Sequence, residues 1–231
     1  MILQDTLEQE YNYQEKDDTA IKKERLFPSH LIVEPTNICN LSCIMCPSSL
    51  QKRKRGVISV ALWKKIIDEV ALNSPDAIVW TAVLGEALVA GEAFLDMLEY
   101  GSYKNVRLML NTNGILLTEA WINKLLFMNL EGIIVGVDAL LPSTYKKIRR
   151  GGDLIKVKNN ILKLLEHNND KKIIVQFICQ EENEQEKDSF IEFWLSKGAI
   201  VKVRPPLRWG EAGATPHLAL PPEERNGECP F

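Results

Sequence analysis

With 231 residues, the chain is long enough to bury a substantial core, and one large domain is the default expectation. The formal net charge of −3 argues against a dedicated nucleic-acid-binding protein, because such proteins usually carry an excess of basic residues. No apolar run approaches the ~18 to 20 residues that a membrane helix needs, so the composition predicts a soluble protein without a membrane partner.

The beginning of the chain is polar and acidic, and we predict that residues 1–29 form an appended arm or helix. This stretch has neither the basic segment nor the apolar segment of a secretory signal, which favours a cytoplasmic protein. The chain contains five cysteines, an odd number, and three of them are clustered. A disulfide framework is therefore a poor explanation, and a metal or redox site is a better one.

From residue 30 onward, apolar β-rich runs alternate with stretches of helical periodicity, which predicts a parallel sheet with crossover helices. The six predicted strands are residues 30–36, 77–83, 106–113, 132–138, 172–180 and 199–206. The predicted helices are residues 59–73, 92–101, 118–130, 153–168 and 183–198, with Ser59 and Thr118 as N-caps and Gly198 as the last residue. The predicted fold is α/β: residues 30–206 form a partial (β/α)6 TIM-type barrel of parallel strands with outer helices, fewer units than a closed barrel has.

Polar residues gather where the predicted strands end. Strand one leads into the clustered cysteines, strand two into Gly85 and Glu86, strand three into Asn113, and strand four into Asp138. In parallel α/β proteins, catalytic and binding residues lie at this carboxyl-terminal edge of the sheet. The sequence therefore predicts a functional site at that edge.

Strands five and six carry further candidates. Gln176 and Gln180 share one alternation face of strand five, whereas Cys179 lies on the other face and is predicted to be a packed core thiol. Arg204 on strand six is either a carboxylate ligand or a surface arginine. The basic run Lys52–Arg55 suggests either a solvated loop or an anionic substrate.

The cysteine cluster has the spacing Cys-x-x-x-Cys-x-x-Cys, formed by Cys39, Cys43 and Cys46. Structural zinc needs four ligands, and the sequence offers no fourth Cys or His near the loop. A 4Fe-4S cluster bound by three cysteines leaves one iron open to a substrate or cofactor. Two interpretations stay open from the residues alone: a cluster with an open iron, or zinc or a closed cluster completed by a distant ligand.

This spacing, directly after a first β-strand, resembles the signature of the radical S-adenosylmethionine (radical SAM) enzymes. The resemblance implies that the three cysteines hold a 4Fe-4S cluster and that S-adenosylmethionine (SAM) chelates the open iron. Reductive cleavage of SAM would then give methionine and a 5'-deoxyadenosyl radical, with the protein supplying orientation and exclusion of competing reactions. Met45 stands where the family usually has an aromatic residue that contacts adenine, and a thioether can also pack on a purine.

Three more segments extend the resemblance over residues 30–206. "LGEAL" resembles the Gly-Gly-Glu-Pro segment that receives the methionine ammonium, with Leu84 and Ala87 departing from that pattern and Gly85 and Glu86 retained. "NTNGILLT" and "GVDALLPSTYKKIRRGG" resemble the segments after strands three and four. The implied SAM contacts are Met45, Gly85, Glu86, Asn113, Asp138 near the ribose, Arg149 near the methionine carboxylate, and Gln176 near the ribose or the substrate. A strand-end turn is the structural alternative for Glu86, and a turn closed by its side chain is the alternative for Asn113.

The resemblance implies an oxidoreductase or isomerase that abstracts a hydrogen atom from a sugar or aminocyclitol, or from a peptide. The outcome would be oxidation, epimerisation or cross-linking, and the electron would come from a flavodoxin- or ferredoxin-type donor. The competing hypothesis is a non-catalytic zinc or closed iron-sulfur protein with a structural or electron-transfer role. A degenerate family member is a third possibility, suggested by Met45, Leu84 and Ala87.

The last segment, residues 207–231, is rich in Pro and Gly and ends in "GECPF". It resembles a linker and the start of a truncated extension of the SPASM or twitch subgroup, which binds auxiliary clusters. Cys229 would be the first ligand of that extension, or else a stray thiol. We expect an auxiliary cluster only if the chain continues beyond Phe231.

Overall fold

The computed structural model describes residues 27–168 and 170–206. Most of the predicted N-terminal arm and the whole predicted extension, including Cys229, lie outside the described residues. Among the residues described, no helix is long and apolar enough to cross a membrane.

Within residues 27–168 and 170–206, six parallel strands form one sheet in the order of the chain. Their bounds are β1 His30–Val33, β2 Ile78–Thr81, β3 Arg107–Thr112, β4 Leu130–Gly136, β5 Lys172–Ile178 and β6 Ile200–Arg204. The strand-to-strand connections pass through helices, so the predicted partial (β/α)6 barrel is confirmed. The first strand ends three residues before its predicted limit, and Pro35, which lacks a backbone N–H, follows it closely.

In the part of the chain that the structure describes, six α-helices surround the sheet: α1 Val60–Asn73, α2 Glu92–Tyr103, α3 Glu119–Leu126, α4 Pro142–Ile148, α5 Leu154–His167 and α6 Lys187–Ser196. The Ser59 and Thr118 hydroxyls cap α1 and α3 as predicted. The short α4 was not predicted, because seven residues display too little periodicity. The predicted fifth helix instead starts as a 3₁₀ turn, Glu184–Glu186, and helix α3 ends at Leu126 because Leu130 already belongs to β4.

The two faces of the sheet pack differently. The outer face joins the helices in the main core, which includes Val79, Leu108, Ile133, Val175 and Val201. Alternate residues on the inner face form a separate apolar cluster of Met109, Ile134 and Ile174, against which Ile78, Trp80 and Ile200 pack. We call the space in front of this inner face the lumen.

The sheet is strongly curved around the lumen. The Lys202 ammonium on β6 lies 5.9 Å from the centre of the Trp80 ring on β2, although three strands separate them in the sheet. In a flat sheet, strands β2 and β6 would be about 19 Å apart, since neighbouring strands are spaced by roughly 4.8 Å. The curvature therefore brings side chains from distant strands of the sheet to the lumen.

Candidate functional site

The cysteine loop follows β1, and its first residues form hydrogen bonds with the segment that comes directly after the loop. The Asn37 side chain accepts from the Gly56 N–H (2.8 Å) and donates to the Lys54 carbonyl (2.9 Å). The Arg55 guanidinium donates to the Asn37 carbonyl and to the Ser48 carbonyl, the latter at 2.7 Å. Within the basic run, predicted as a solvated loop or a substrate contact, Lys54 and Arg55 therefore bind back to the cysteine loop and hold it in place.

The far side of the cysteine loop docks on the end of α4. The Ser42 N–H donates to the Arg150 carbonyl, and the Ile44 N–H donates to the Ile148 carbonyl, both at 3.0 Å. Met45 is buried and packs with Ile148 and Ile178 in a small apolar cluster. The adenine contact implied for Met45 stays a prediction, and its packing fixes the last turn before Cys46.

The three cysteines of the loop are partly buried free thiols. Burial raises the pKa of each of them, and the pKa of Cys39 reaches about 11. Negative charge on Cys43 or Cys46 raises the pKa of Cys39 further, so the thiols lie close enough to repel one another as thiolates. A cationic iron-sulfur cluster fits this donor set, because iron bound to the sulfurs would stabilise the thiolate forms.

A single metal ion finds no comparable arrangement in the part of the chain that the structure describes. No group of three or more His, Cys, Asp or Glu side chains there is placed to hold one ion. Cys179 packs against the main core as predicted, although its thiol is only partly buried.

Glu86 lies behind the cysteine loop at the end of β2 and is only 2% exposed. Its carboxylate accepts from the Thr112 hydroxyl (2.8 Å), the Asn113 N–H (2.7 Å) and the Leu88 N–H (3.3 Å). None of the ion pairs formed within residues 27–168 and 170–206 includes Glu86. Burial raises the pKa of Glu86, although these hydrogen bonds oppose the shift. The result is a buried carboxylate whose three hydrogen-bond donors are neutral, with the charge of Arg149 acting on it more weakly from a distance.

Gly85 allows the cysteine loop to approach Glu86. A Cβ atom at this position would overlap the carbonyl oxygen of Thr36. The neighbouring Glu86 N–H donates to the Ile38 carbonyl at 2.9 Å, which joins the end of β2 to the start of the loop. The close backbone approach explains why the loop requires glycine here.

Asn113 connects the end of β3 to the cysteine loop. Its side-chain amide donates to the Asn40 side chain at 2.8 Å and lies 3.9 Å from the Cys39 sulfur. Its side-chain oxygen accepts from the Ile115 N–H at 3.1 Å, which closes a turn. The two alternatives considered for Asn113, a turn and a residue facing the site, are therefore combined in one side chain.

Asp138 and Arg149 form a buried ion pair on the opposite side of the loop. One oxygen of Asp138 accepts from two guanidinium nitrogens of Arg149, at 2.8 and 2.6 Å, and the other accepts from the Ile178 N–H at 2.7 Å. The third guanidinium nitrogen lies 3.9 Å from the Cys43 sulfur. Although burial alone would lower it, the pKa of Arg149 is raised, because Asp138 and Cys43 favour the charged form.

Two residues that the sequence did not single out support this ion pair. Gly136 lies beside the guanidinium, and a Cβ atom there would overlap Arg149. The fully buried Asn183 donates to the Asp138 carbonyl (2.8 Å) and the Ile178 carbonyl (2.9 Å), holding Asp138 at its positive φ of 64°. Neither residue carries a local sequence signal, because each acts through tertiary contacts.

Gln176 is buried on the lumen face of β5, apart from the cysteine loop. Its side-chain oxygen accepts from the Arg204 guanidinium at 3.1 Å. The charges of Asp138 and Arg149 both affect Arg204, so Gln176 and Arg204 lie close to that ion pair at the carboxyl-terminal edge of the sheet, which we call the rim. The predicted site residues thus lie around the cysteine loop, except for Gln176, which lies on the lumen face of β5.

A family model described as the radical SAM superfamily matches residues 33–193, well over half of the chain. The chain belongs to the radical SAM superfamily. This membership confirms the resemblance seen in the cysteine spacing, and it implies a 4Fe-4S cluster and SAM as cofactors of this radical SAM protein.

Two relatives illustrate the breadth of the superfamily. GTP 3',8-cyclase from Clostridium botulinum is 27% identical over 181 residues, which cover 76% of this chain and 55% of the cyclase. A tungsten-containing aldehyde ferredoxin oxidoreductase cofactor-modifying protein from Pyrococcus furiosus is 25% identical over 175 residues, which cover 73% of this chain and 49% of the relative. This radical SAM chain spans about half the length of the curated relatives that it matches.

Solved structures share the fold. Streptococcus suis SuiB bound to S-adenosylmethionine superimposes with a TM-score of 0.69 at 14% identity, over 81% of this chain and 43% of SuiB. Native anSMEcpe with bound AdoMet and the Cp18Cys peptide superimposes with a TM-score of 0.65 at 18% identity, over 84% of this chain and 55% of that protein. The partial barrel is therefore the fold of known SAM-binding proteins.

Proposed function

We propose that this protein reductively cleaves SAM and uses the resulting radical to abstract a hydrogen atom from a sugar or aminocyclitol, or from a peptide. The outcome would be oxidation, epimerisation or cross-linking, which makes the enzyme an oxidoreductase or isomerase. A flavodoxin- or ferredoxin-type protein would supply the electron. When bound, the 4Fe-4S cluster supplies the one-electron reduction that splits SAM into methionine and a 5'-deoxyadenosyl radical.

The observation that carries this proposal is the charge arrangement around the cysteine loop. Glu86 is a buried carboxylate that forms no ion pair with any of the described residues, which suits the ammonium of SAM. Arg149 presents a guanidinium beside Cys43, which suits the carboxylate of SAM. Complementary charges on both sides of the three thiols would orient an amino acid moiety between them.

Asp138 has a positioning role in this proposal. Both of its carboxylate oxygens already have partners, in Arg149 and the Ile178 N–H. A carboxylate bound in this way fixes the direction of the guanidinium and balances its buried charge. The direct ribose contact implied for Asp138 stays a prediction.

The test is anaerobic reconstitution with iron and sulfide, followed by dithionite and SAM, with 5'-deoxyadenosine and methionine measured by chromatography. We expect 5'-deoxyadenosine from the wild type even without substrate. The Cys43→Ala variant should lose the visible absorbance of the cluster and form no 5'-deoxyadenosine. Cys179→Ala is the matched control, because that thiol packs on the outer face of the sheet, and it should behave as the wild type.

Two results would contradict the proposed function, and a third would contradict the ligand assignment. A reconstituted wild type that binds iron but never yields 5'-deoxyadenosine would favour the non-catalytic iron-sulfur hypothesis. Stoichiometric zinc bound through the same thiols, without iron, would favour the structural zinc site. An intact cluster in Cys43→Ala would show that the ligand assignment is wrong.

A further inference from the structure

The lumen changes from apolar to polar toward the rim that carries the cysteine loop. Its floor is the cluster of Met109, Ile134 and Ile174. Strand β6 continues the same face: Ile200 packs on the floor cluster, and Lys202 and Arg204 follow at intervals of two residues. Two basic side chains on one strand therefore face the space between the apolar floor and the proposed SAM site.

The Arg204 guanidinium is partly buried, and its hydrogen-bond partners among the described residues carry no charge. It donates to the side-chain oxygen of Gln176 (3.1 Å) and to the Pro205 carbonyl (3.0 Å), and both acceptors are neutral. No carboxylate in the described part of the chain forms an ion pair with it. Burial lowers its pKa, and Arg149 lowers it further while Asp138 acts in the opposite direction. A bound anion would relieve this cost.

Two neighbouring groups complete the surface that a ligand would meet. The Lys202 ammonium, over the Trp80 ring at 5.9 Å, adds a second positive charge. Asn111 lies two residues after Met109 on β3, and its buried side-chain oxygen has no hydrogen-bond partner among the residues described. Such an oxygen needs a donor, and a hydroxyl or amine of a ligand would provide one.

We propose that the lumen binds the substrate of this enzyme through an oxyanion, either a carboxylate or a phosphate, held by Arg204 with Lys202 as a second cation. The Asn111 oxygen accepts a hydrogen bond from a hydroxyl or amine of the same substrate, and Trp80 covers one side of it. This inference rests on the proposed function and narrows it to substrates that are anionic, such as a phosphorylated sugar or an acidic peptide.

The experiment uses the reconstituted full chain with SAM bound, and it measures binding of inorganic phosphate and of acetate by calorimetry at constant ionic strength. Arg204→Met removes the charge and keeps much of the side-chain volume. We expect it to weaken binding of the preferred anion at least tenfold, with Arg204→Lys retaining part of the affinity. Arg53→Met is the matched control, since Arg53 is an exposed arginine paired with Glu34, and it should bind as the wild type.

The comparison of phosphate with acetate distinguishes the two sources of the oxyanion. Equal anion affinities in the wild type and Arg204→Met, or no binding of either anion by the wild type, would overturn the inference. The SAM dissociation constant of Arg204→Met is the second readout, because a tenfold loss there would place Arg204 in the cofactor site instead. Formation of 5'-deoxyadenosine by the wild type without any added anion tests the proposed function separately, so the failure of one hypothesis is distinguishable from the failure of the other.

Discussion

The β2–β3 side and the β4–β5 side of the rim each bury a carboxylate against the same cysteine loop, but they neutralise it differently. Glu86 receives hydrogen bonds from neutral donors alone, whereas Asp138 receives two from the Arg149 guanidinium. Among the described residues, Asp138 has a cation bound directly to its carboxylate and Glu86 does not. The β4–β5 side is therefore neutralised by its own ion pair, whereas on the β2–β3 side the proposed function assigns the neutralising cation to the ammonium of SAM.

The cysteine loop lies between these two sides and contacts both. Asn113 reaches Cys39 on the β2–β3 side, and Arg149 reaches Cys43 on the β4–β5 side, each at 3.9 Å. A ligand with an ammonium at one end and a carboxylate at the other would meet opposite charges on the two sides. The following variants test whether this difference in charge between the two sides affects the stability of the protein.

The largest effect is expected from Asp138→Asn, which removes the counterion of Arg149. Breaking a buried pair from one partner leaves an uncompensated charge and costs about 3–5 kcal/mol of unfolding free energy. Asparagine has nearly the same shape and tolerates the positive φ of 64° at this position, so the backbone is not the cause. The free energy is measured by urea unfolding of variants prepared identically.

The control for Asp138→Asn is Glu92→Gln, which removes an exposed partner of Lys124 and should change stability little. If Asp138→Asn unfolds at the same urea concentration as the wild type, the β4–β5 side does not depend on its ion pair. The electrostatic difference between the two sides would then have no energetic consequence.

One glycine on each side of the cysteine loop allows the same comparison to be made by adding a methyl group. Gly85→Ala places a methyl group on the backbone carbonyl of Thr36, and Gly136→Ala places one on the Arg149 side chain. Overpacking of this kind costs about 1–3 kcal/mol, and we expect Gly85→Ala to cost more because a backbone atom cannot turn away. Thermal unfolding measures both variants, with Gly56→Ala as the control because nothing lies within 4 Å of its added methyl. Equal melting temperatures for Gly136→Ala and Gly56→Ala would mean that Arg149 is free to move.

Much of this arrangement was predictable from the sequence, because it depends on local patterns. Runs of Val and Ile predict the six strands, and parallel pairing then brings Glu86, Asn113 and Asp138 to one edge. The spacing of the cysteines predicts the loop, whose role is shared with a whole superfamily.

The remaining parts depend on contacts between distant segments. Asn183 forms a hydrogen bond with Asp138, 45 positions earlier in the chain, and Arg55 forms one with Asn37, 18 positions earlier. No periodic pattern in the sequence indicates either contact. The Asp138–Arg149 pair also differs from the separate ligand roles that the sequence predicts, because only the fold shows that both oxygens of the carboxylate have partners. Whether a buried polar side chain has all its hydrogen-bond partners depends on the packed structure and cannot be deduced from the order of residues.

The smallest effect concerns the unbalanced Glu86 and appears as a pH dependence. Burial raises the pKa of Glu86, so the folded state holds its proton more tightly than the unfolded state does. In the unfolded state, a glutamic acid has its ordinary pKa of about 4.3. The stabilisation is fully present below that pH and is lost as pH rises through the higher folded pKa, because the carboxylate must then ionise while buried. As pH rises through the folded pKa of Glu86, the unfolding free energy of the SAM-free protein should therefore fall relative to that of Glu86→Gln, by about 1.4 kcal/mol for each unit of pKa difference.

Adding SAM should reduce this fall in unfolding free energy, since its ammonium would supply the missing counterion of Glu86. A difference between wild type and Glu86→Gln that stays constant from pH 4 to pH 8, by thermal unfolding in ~0.5-unit steps, would mean that Glu86 is as well compensated as Asp138, and the proposed binding of the SAM ammonium would lose its electrostatic basis.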